Sequence, residues 1–501
     1  MRTETKAEQL LAEIGAYCRQ AGLAETTFGR HAVNDGKLVS RLRIGGRISP
    51  ATLDRVRSFM RQHPPARSSG GVLRTAAAHL PRAKPAPVNG FHTLPPTVLP
   101  TALPTALPTA ARTTLPASAS AGAEATPDHQ RNFRFYDNRQ KYLLFVNTCG
   151  EKWVVAQRIM MELANIHPRP PAVRVFDAGV GDGTVLARVL RSMHTRFPTM
   201  PFYVVGKEIS LEDVRLALEK TPDRFYEHPS TVLVMTNLYY SEAPWLAPRS
   251  VGAATSLVWH EVALRGNTSS EFEQQITELQ PFLAQNWQAK ISPTSGNPVY
   301  DKPVVLVLYR EDHKFLLDRV RPRRGLAEAD YDLVIASQPY RARASTEFKA
   351  EKVLAPLARS LGPGGRMIVV HSHGQDPGLE IVRRIWPGEN PFTSNRHDLL
   401  KATKAVLGSA GRHLNFNAYA DERSLFRYDM HTLPSEVTSS IGTSTLLAAW
   451  NAAVYVAQIE DVRLEEVMSD NAYIEATREV LQQQGGLWFW DESFVISRKR
   501  D

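Results

Sequence analysis

The sequence predicts an α/β protein: a mostly parallel sheet covered by helices, preceded by a small all-α unit and an extended linker. Three observations predict it. Short apolar runs alternate with helical stretches from Val173 onward, a glycine-rich turn follows the first such run, and composition shifts abruptly near residues 63 and 127.

A chain of 501 residues exceeds one ordinary domain. Its 43% hydrophobic content is that of globular protein and can fill a large core. The two cysteines, Cys18 and Cys149, exclude a disulfide scaffold and a cysteine-based zinc site. They fit a reducing compartment, and no apolar run reaches the roughly 18 residues of a membrane span. The first residues, MRTETKAEQLLAEIG, are charged and amphipathic, unlike a signal peptide. A cytoplasmic chain with no membrane partner and no metal is expected. The net charge of +9 is uneven: residues 1–63 carry 11 basic against 6 acidic residues, 64–127 carry 5 against 1, and the remainder is balanced. A polyanionic partner is therefore expected to meet the first quarter.

Residues 1–63 read as four short helices. Leu10, Ile14, Tyr17 and Ala21 share a face of the first. Thr27 to Val33 and Lys37 to Ile44 suit the second and third, split by the turn signal Asn34-Asp35-Gly36. Ser49-Pro50 caps a fourth with Leu53, Val56 and Met60 inward. Residues 64–127 hold eleven prolines before Pro127, with Ala, Thr and Ser filling most of the rest, and predict an extended tether. From residue 128 to 501 strand-like runs (VRVFDAG, FYVVGKE, STVLVMTN, YDLVIAS, RMIVVHS) alternate with helical ones, the mark of a helix-covered parallel sheet. About 241–330 reads as an insertion in which TSLVWHEV and KPVVLVLYRE both look like strands. The final LWFWDESFVISRK reads as a closing strand.

The chemistry gathers at Val173-Arg-Val-Phe-Asp177-Ala-Gly179-Val-Gly181-Asp182-Gly183-Thr184. A buried strand ends on Asp177, and Gly179, Gly181 and Gly183 let the backbone turn sharply beside a helix N-terminus. The G-x-G-x-G spacing differs from the G-x-G-x-x-G of a pyrophosphate binder. An acid at the turn repels phosphate and suits a cationic amino-acid group. Glu208, at the end of FYVVGKE, is placed to accept both hydroxyls of a ribose.

With DAGVGDGT, GKEIS, YDLVIASQPY and LGPGGRMIVV in this order, residues 140–375 resemble the class I S-adenosylmethionine-dependent methyltransferases. The resemblance implies a Rossmann-like fold with a mostly parallel seven-stranded sheet, S-adenosyl-L-methionine as cofactor and an unidentified methyl acceptor. It implies that Asp177, Gly179, Gly181 and Gly183 hold the methionine part and Glu208 the ribose. Asn237 would meet the adenine, and Ser337 would lie below the sulfonium. Ser337-Gln338-Pro339-Tyr340 resembles imperfectly the loop of amino-methylating enzymes, with Gln338 in place of a proline. Tyr340 is a candidate pocket wall and His371 a candidate base; a loop without amine specificity and a solvated histidine are the plainer accounts. Tyr142 to Trp153 either closes over the cofactor or is a helix packed on the sheet. The run Arg319, Arg321, Arg323, Arg324 is a solvated loop or an anion-binding one.

Thr27 to Gly45 resembles the helix-turn-helix of small repressor-like domains, which implies that Lys37, Ser40, Arg41 and Arg43 face DNA. A helical adaptor for protein is the alternative. Three functions are open: an enzyme methylating a small molecule or protein side chain, a DNA-binding regulator that senses the cofactor without turnover, and a DNA amino-methyltransferase. The balanced charge of 128–501 weighs against the last.

Overall fold

The computed structural model describes residues 6–21, 25–33, 38–43, 50–63, 139–292, 297–431 and 441–500. The chain divides into two units, Met1–Ser118 and Ala119–Asp501.

In the first unit, helices α1 (Lys6–Ala21), α2 (Glu25–Val33), α3 (Leu38–Arg43) and α4 (Pro50–Gln62) enclose a small core. Leu10, Ile14, Phe28, Leu38 and Val56 are buried in it, at the helical spacing the sequence shows. The Tyr17 hydroxyl donates to the His63 carbonyl at 2.6 Å, tying the first helix to the end of the fourth. Arg43 is exposed and pairs with Glu25 at 2.6 Å. Lys37, and the side chains of Ser40 and Arg41, lie outside the described residues.

The second unit is built on one large sheet. Its strands are β1 (Val173–Asp177), β2 (Phe202–Lys207), β3 (Thr231–Thr236), β4 (Val258–Leu264), β7 (Val304–Arg310), β8 (Tyr331–Ser337), β9 (Leu361–Ser372), β10 (Leu414–Asn417), β11 (Leu425–Asp429) and β12 (Trp488–Arg498). β5 (Ala289–Ile291) and β6 (Pro298–Tyr300) form a separate antiparallel pair. The sheet order is β10-β12-β9-β8-β1-β2-β3-β7-β4, with β11 also on β12. From β3 through β9 the strands are parallel. β12 runs antiparallel to β9, which makes the closing strand expected from LWFWDESFVISRK.

The sheet has ten strands, so the expected seven is corrected. Two additions come from the insertion: β7 pairs antiparallel with β3, and β4 lies parallel beside it. The physical reason is an open edge. β3 is apolar and buried along its whole length, and a buried edge strand needs a partner for its backbone groups. VVLVLYR of β7, equally buried, provides it. The third addition, β11, uses backbone of β12 that β10 leaves open.

Side-chain alternation along the strands builds two cores. Val173, Val175, Val204, Leu333, Ile335, Ile368 and Val370 face one, under α6 (Glu151–Met160) and α7 (Thr184–Arg196). Phe176, Val205, Val334, Ala336, Val369 and Phe494 face the other. A third cluster joins α5 (Arg139–Thr148) to the helix Thr443–Val456 through Phe145, Leu446, Trp450 and Phe489.

Candidate active site

The chain order reverses at β1: β2 and β3 follow on one side, β8 and β9 on the other. Such a switch point leaves a crevice outside the carboxyl ends of the strands. The glycine turn fills its rim. Gly179 donates its amide to Asp177 Oδ1 at 3.1 Å, folding the turn back on the strand end. Gly181 and Gly183 have φ of 54° and 80°, the left-handed region that glycine enters without strain. Gly183 is the N-cap of α7, whose stripe Val185, Leu186, Val189, Leu190 and Met193 pins the helix to the first core.

Glu208 bridges the two strand ends. Its Oε2 accepts from Gly181 N at 2.8 Å, and its Oε1 from Ile209 N at 2.8 Å and Ser210 N at 2.9 Å. Ser210 then caps α8 (Leu211–Glu219) by accepting from Asp213 N. The two acids thus sit one strand apart, both nearly inaccessible, on opposite sides of one loop. Burial, with the nearby Glu208, pushes the Asp177 carboxyl up to about 7, although the Gly179 amide and Lys152 pull the other way. Asp177 is therefore short of positive charge, which is the donor set a cationic ligand satisfies.

Two residues of the Tyr142 to Trp153 segment, and one residue that carried no assignment in the sequence, lie around this loop. Tyr142 of α5 puts its hydroxyl 3.4 Å from Asp182 Oδ1. Lys152 of α6 lies 3.5 Å from Glu151, and Glu151, Tyr142 and Asp182 hold its ammonium well above the usual range against the pull of burial. Tyr240 donates to the Pro339 carbonyl at 2.7 Å, connecting the end of β3 to the loop after β8. Tyr142 and Lys152 fall inside the segment Tyr142 to Trp153, for which the sequence leaves closure over a cofactor and packing on the sheet both open. Tyr240 carries no such signal, because its reach depends on two strands meeting.

Asn237 has a structural duty at the end of β3. Its amide donates to the Lys302 carbonyl at 2.8 Å and accepts from Val304 N at 2.8 Å, with the side chain buried. The amide thus clamps the start of β7, a duty that exists because β7 joined the sheet. Ser337 ends β8 at the switch point, where its carbonyl would lie 3.9 Å from a Cβ on Gly179.

Tyr340 and His371 come together, with ring centroids 5.8 Å apart, around a cavity of about 10 Å³ also lined by Gln338, Lys349, Ser372 and Ser394. That is room for about one water. The catalytic assignment needs correction on position: His371 alternates with Val369 and so faces the second core, whereas Asp177 and Ser337 alternate with residues of the first. Burial pulls the His371 ring below its ordinary value, opposed by Glu492 at 3.2 Å. Lys349 donates to the Ala342 carbonyl at 2.7 Å and to Ser394 at 3.1 Å, and burial lowers its ammonium to about 8.

Glu492 anchors that side. It accepts from Arg396 N at 2.8 Å and Arg396 Nη1 at 2.6 Å, in addition to its pairing with His371. Burial alone would raise this carboxyl; His371 and Arg396 outweigh it and hold the group at about 2, against an ordinary 4.5. A depressed folded-state value stabilises the fold above pH 4.5 and loses that contribution as pH falls toward 2. The expected acid loss is about 3 kcal/mol. Thermal denaturation followed from pH 6 to pH 2.5 checks it: Glu492→Gln should be less stable at pH 6 and show a flatter acid limb.

The other sequence candidates lie away from the crevice. Arg321 pairs with Glu261 and Asp318, and Arg323 with Asp318, beside a 340 Å³ cavity at the amino ends of β1 and β2. No described helix is long and apolar enough to cross a membrane.

Fold and site together define an α/β protein with an acid-flanked glycine loop at a topological switch point. Among solved structures it is similar to geranyl diphosphate methyltransferase in complex with geranyl diphosphate and sinefungin, at 12% identity over 68% of this chain and 77% of that one, TM-score 0.25. It is also similar to PKMT2 from Rickettsia typhi, at 10% identity over 68% of this chain and 52% of that one, TM-score 0.26. Haemonchus contortus phosphoethanolamine N-methyltransferase 2 shares 12% identity over 74% of this chain and 60% of that one, TM-score 0.26. No family model and no curated protein matches the sequence.

Proposed function

We propose that the second unit is an S-adenosylmethionine-dependent methyltransferase. The observation that carries this is the pairing of Glu208 with Gly181 across the β1–β2 strand ends, with Asp177 buried and short of cations on the other side of the loop. Glu208 receives the ribose hydroxyls, exchanging its loop amide for them. Asp177 receives the methionine ammonium. Lys152, brought over the loop by α6, holds the methionine carboxylate. Tyr142 and Tyr455 wall the same space, and their rings lie 5.9 Å apart. S-Adenosylmethionine supplies the methyl group as a sulfonium. The protein's share is to align the acceptor with it and keep water out, since a displacement gains most from proximity and desolvation.

Calorimetric titration with S-adenosylhomocysteine tests the reading, and an isotherm without heat for the wild-type chain ends it. A variant separates the roles. Lys152→Met is expected to weaken S-adenosylhomocysteine by about tenfold, the value of one charge-assisted hydrogen bond, and to leave 5′-methylthioadenosine, which has no carboxylate, within about twofold. Equal losses for both ligands would remove Lys152 from the carboxylate.

For residues 1–63 the proposed fold is the helix-turn-helix and the proposed partner is duplex DNA, supported by their basic excess and that of the linker. Binding of the full chain to a DNA duplex, weakening steeply with salt, is the result that supports it; absence of binding at low salt counts against it.

A further inference from the structure

One buried acid at the carboxyl edge of the sheet has no role so far. Asp491 opens the antiparallel run of β12 opposite Ser372 and is fully buried. It alternates with Ser493 and Val495, which places it on the same face of the sheet as Asp177 and Ser337. Gln338, the residue after Ser337, reaches it: Gln338 Nε2 lies 3.4 Å from Asp491 Oδ1 and 3.2 Å from Ser372 Oγ. Gln338 takes a φ of 47°, unusual for a side chain of this size, to make that turn. The succession Gly179, Ser337, Gln338, Asp491 therefore runs from the glycine loop along the edge where an acceptor must approach.

Asp491 Oδ2 is buried without a hydrogen-bond partner, and so is the Tyr428 hydroxyl, on which Asp491 is the charge that acts most strongly. Native interiors seldom leave such atoms unpaired, and the Asp491 oxygen, which as a carboxylate only accepts, calls for a group that donates to it. Two other acids act on Asp491 by their charge. Glu151 is engaged by Lys152, and Asp376 accepts from the amides of Leu379 at 2.8 Å and Trp490 at 3.1 Å. Asp491 is the one whose second oxygen is left over. Burial, then Glu151 and Asp376, push its carboxyl well above the usual range, so a hydrogen-bonded cation is what it lacks.

We propose that the acceptor is an amine and that Asp491 is the group that receives it, with Gln338 as the positioning residue. This rests on the methyltransferase reading above. In the step, the amine nitrogen forms a bond to the methyl carbon while that carbon's bond to sulfur breaks, the electron pair remaining on sulfur. Binding of the amine as an ammonium draws Asp491 into its carboxylate form, its own proton leaving to solvent; the proton that the nitrogen must then lose before it attacks passes to that carboxylate and is released to solvent after the transfer. A carboxylate acceptor would be repelled by the buried acid, and a hydroxyl would bring it a hydrogen bond without the positive charge of an ammonium.

The probe is sinefungin, which carries an amine-bearing carbon where the methyl sulfonium stands and so presents an ammonium to the acceptor side. Calorimetry of the full chain should give sinefungin an affinity about tenfold above that of S-adenosylhomocysteine. In Asp491→Asn, which keeps the shape and removes the charge, that preference should fall to about twofold or less while S-adenosylhomocysteine is held unchanged. Retained S-adenosylhomocysteine binding shows that the variant is folded. Asp491→Glu should restore part of the preference. A wild-type chain that binds both ligands equally overturns the proposal, as does a preference that survives in Asp491→Asn. A wild-type chain that binds neither fails at the cofactor itself, and the methyltransferase reading falls first.

Discussion

Glu208→Ala should lower the affinity for S-adenosylhomocysteine by about a hundredfold or more, the largest loss expected from any single side chain in the crevice. The carboxylate has two duties. Toward the protein it accepts three amides, from Gly181, Ile209 and Ser210, which fixes the glycine loop against the end of β2. Toward a ligand it offers two oxygens to two adjacent hydroxyls. Each hydrogen bond to a charged group contributes about 1.5–3 kcal/mol, so losing both gives the factor stated. Removing the carboxylate also leaves buried amides unsatisfied, and a lower melting temperature should accompany the loss. Glu208→Gln separates the duties: one carbonyl oxygen still serves Ile209 and Ser210, while the amide end faces Gly181 with the wrong polarity. Its affinity should fall by about tenfold with a smaller change in melting temperature. Calorimetry and thermal denaturation of both variants check this. Unchanged affinity in Glu208→Ala would show that the acid serves the loop alone.

Gly183→Ala should destabilise the second unit by about 3 kcal/mol, enough to lower its melting temperature by several degrees. Two causes add. The residue has φ of 80°, where a side chain costs about 1–2 kcal/mol. A Cβ built there would also lie 2.6 Å from Ala217 Cα and 2.9 Å from Ala217 Cβ. Ala217 belongs to the last turn of α8, and its backbone cannot yield without moving the helix that Glu208 and Ser210 begin. Gly485 is the comparison: its φ of 70° is similar, but nothing lies within 4 Å of a Cβ there. Gly485→Ala should cost only the backbone part, about 1 kcal/mol. Similar melting temperatures for the two variants would mean that the α7–α8 contact is slack and that the glycine serves conformation only.

Much of the site was legible because its parts are local in sequence. Asp177, Gly179, Gly181 and Gly183 lie within seven residues, and a strand followed by a turn and a helix has few ways to fold. Glu208 was legible because the next strand of a parallel sheet ends at the same edge. Asn237 lies at the end of β3, where the sequence places it, but its hydrogen bonds to the start of β7 were not legible, because they depend on β7 joining that edge. His371 was placed on the correct edge, but the two-residue alternation of β9 turns it to the other face. Tyr240 and Asp491 were invisible, since one is a loop aromatic and the other sits in a run that reads as core.

The sequence by itself determined the alternation of strands and helices, the glycine loop with its two flanking acids, and the separation of a basic first quarter from a charge-balanced remainder. Period and composition act on neighbours along the chain, and a neighbour's identity is written there. The tertiary structure alone decided that β7 and β4 extend the sheet beyond β3, that Tyr142 and Lys152 close over the loop, and that Asp491 meets Gln338 across 153 positions of chain. Those contacts depend on which open strand edge is nearest and which face a side chain falls on. A one-residue change in register would reverse the latter, so they are settled only when the whole sheet has assembled.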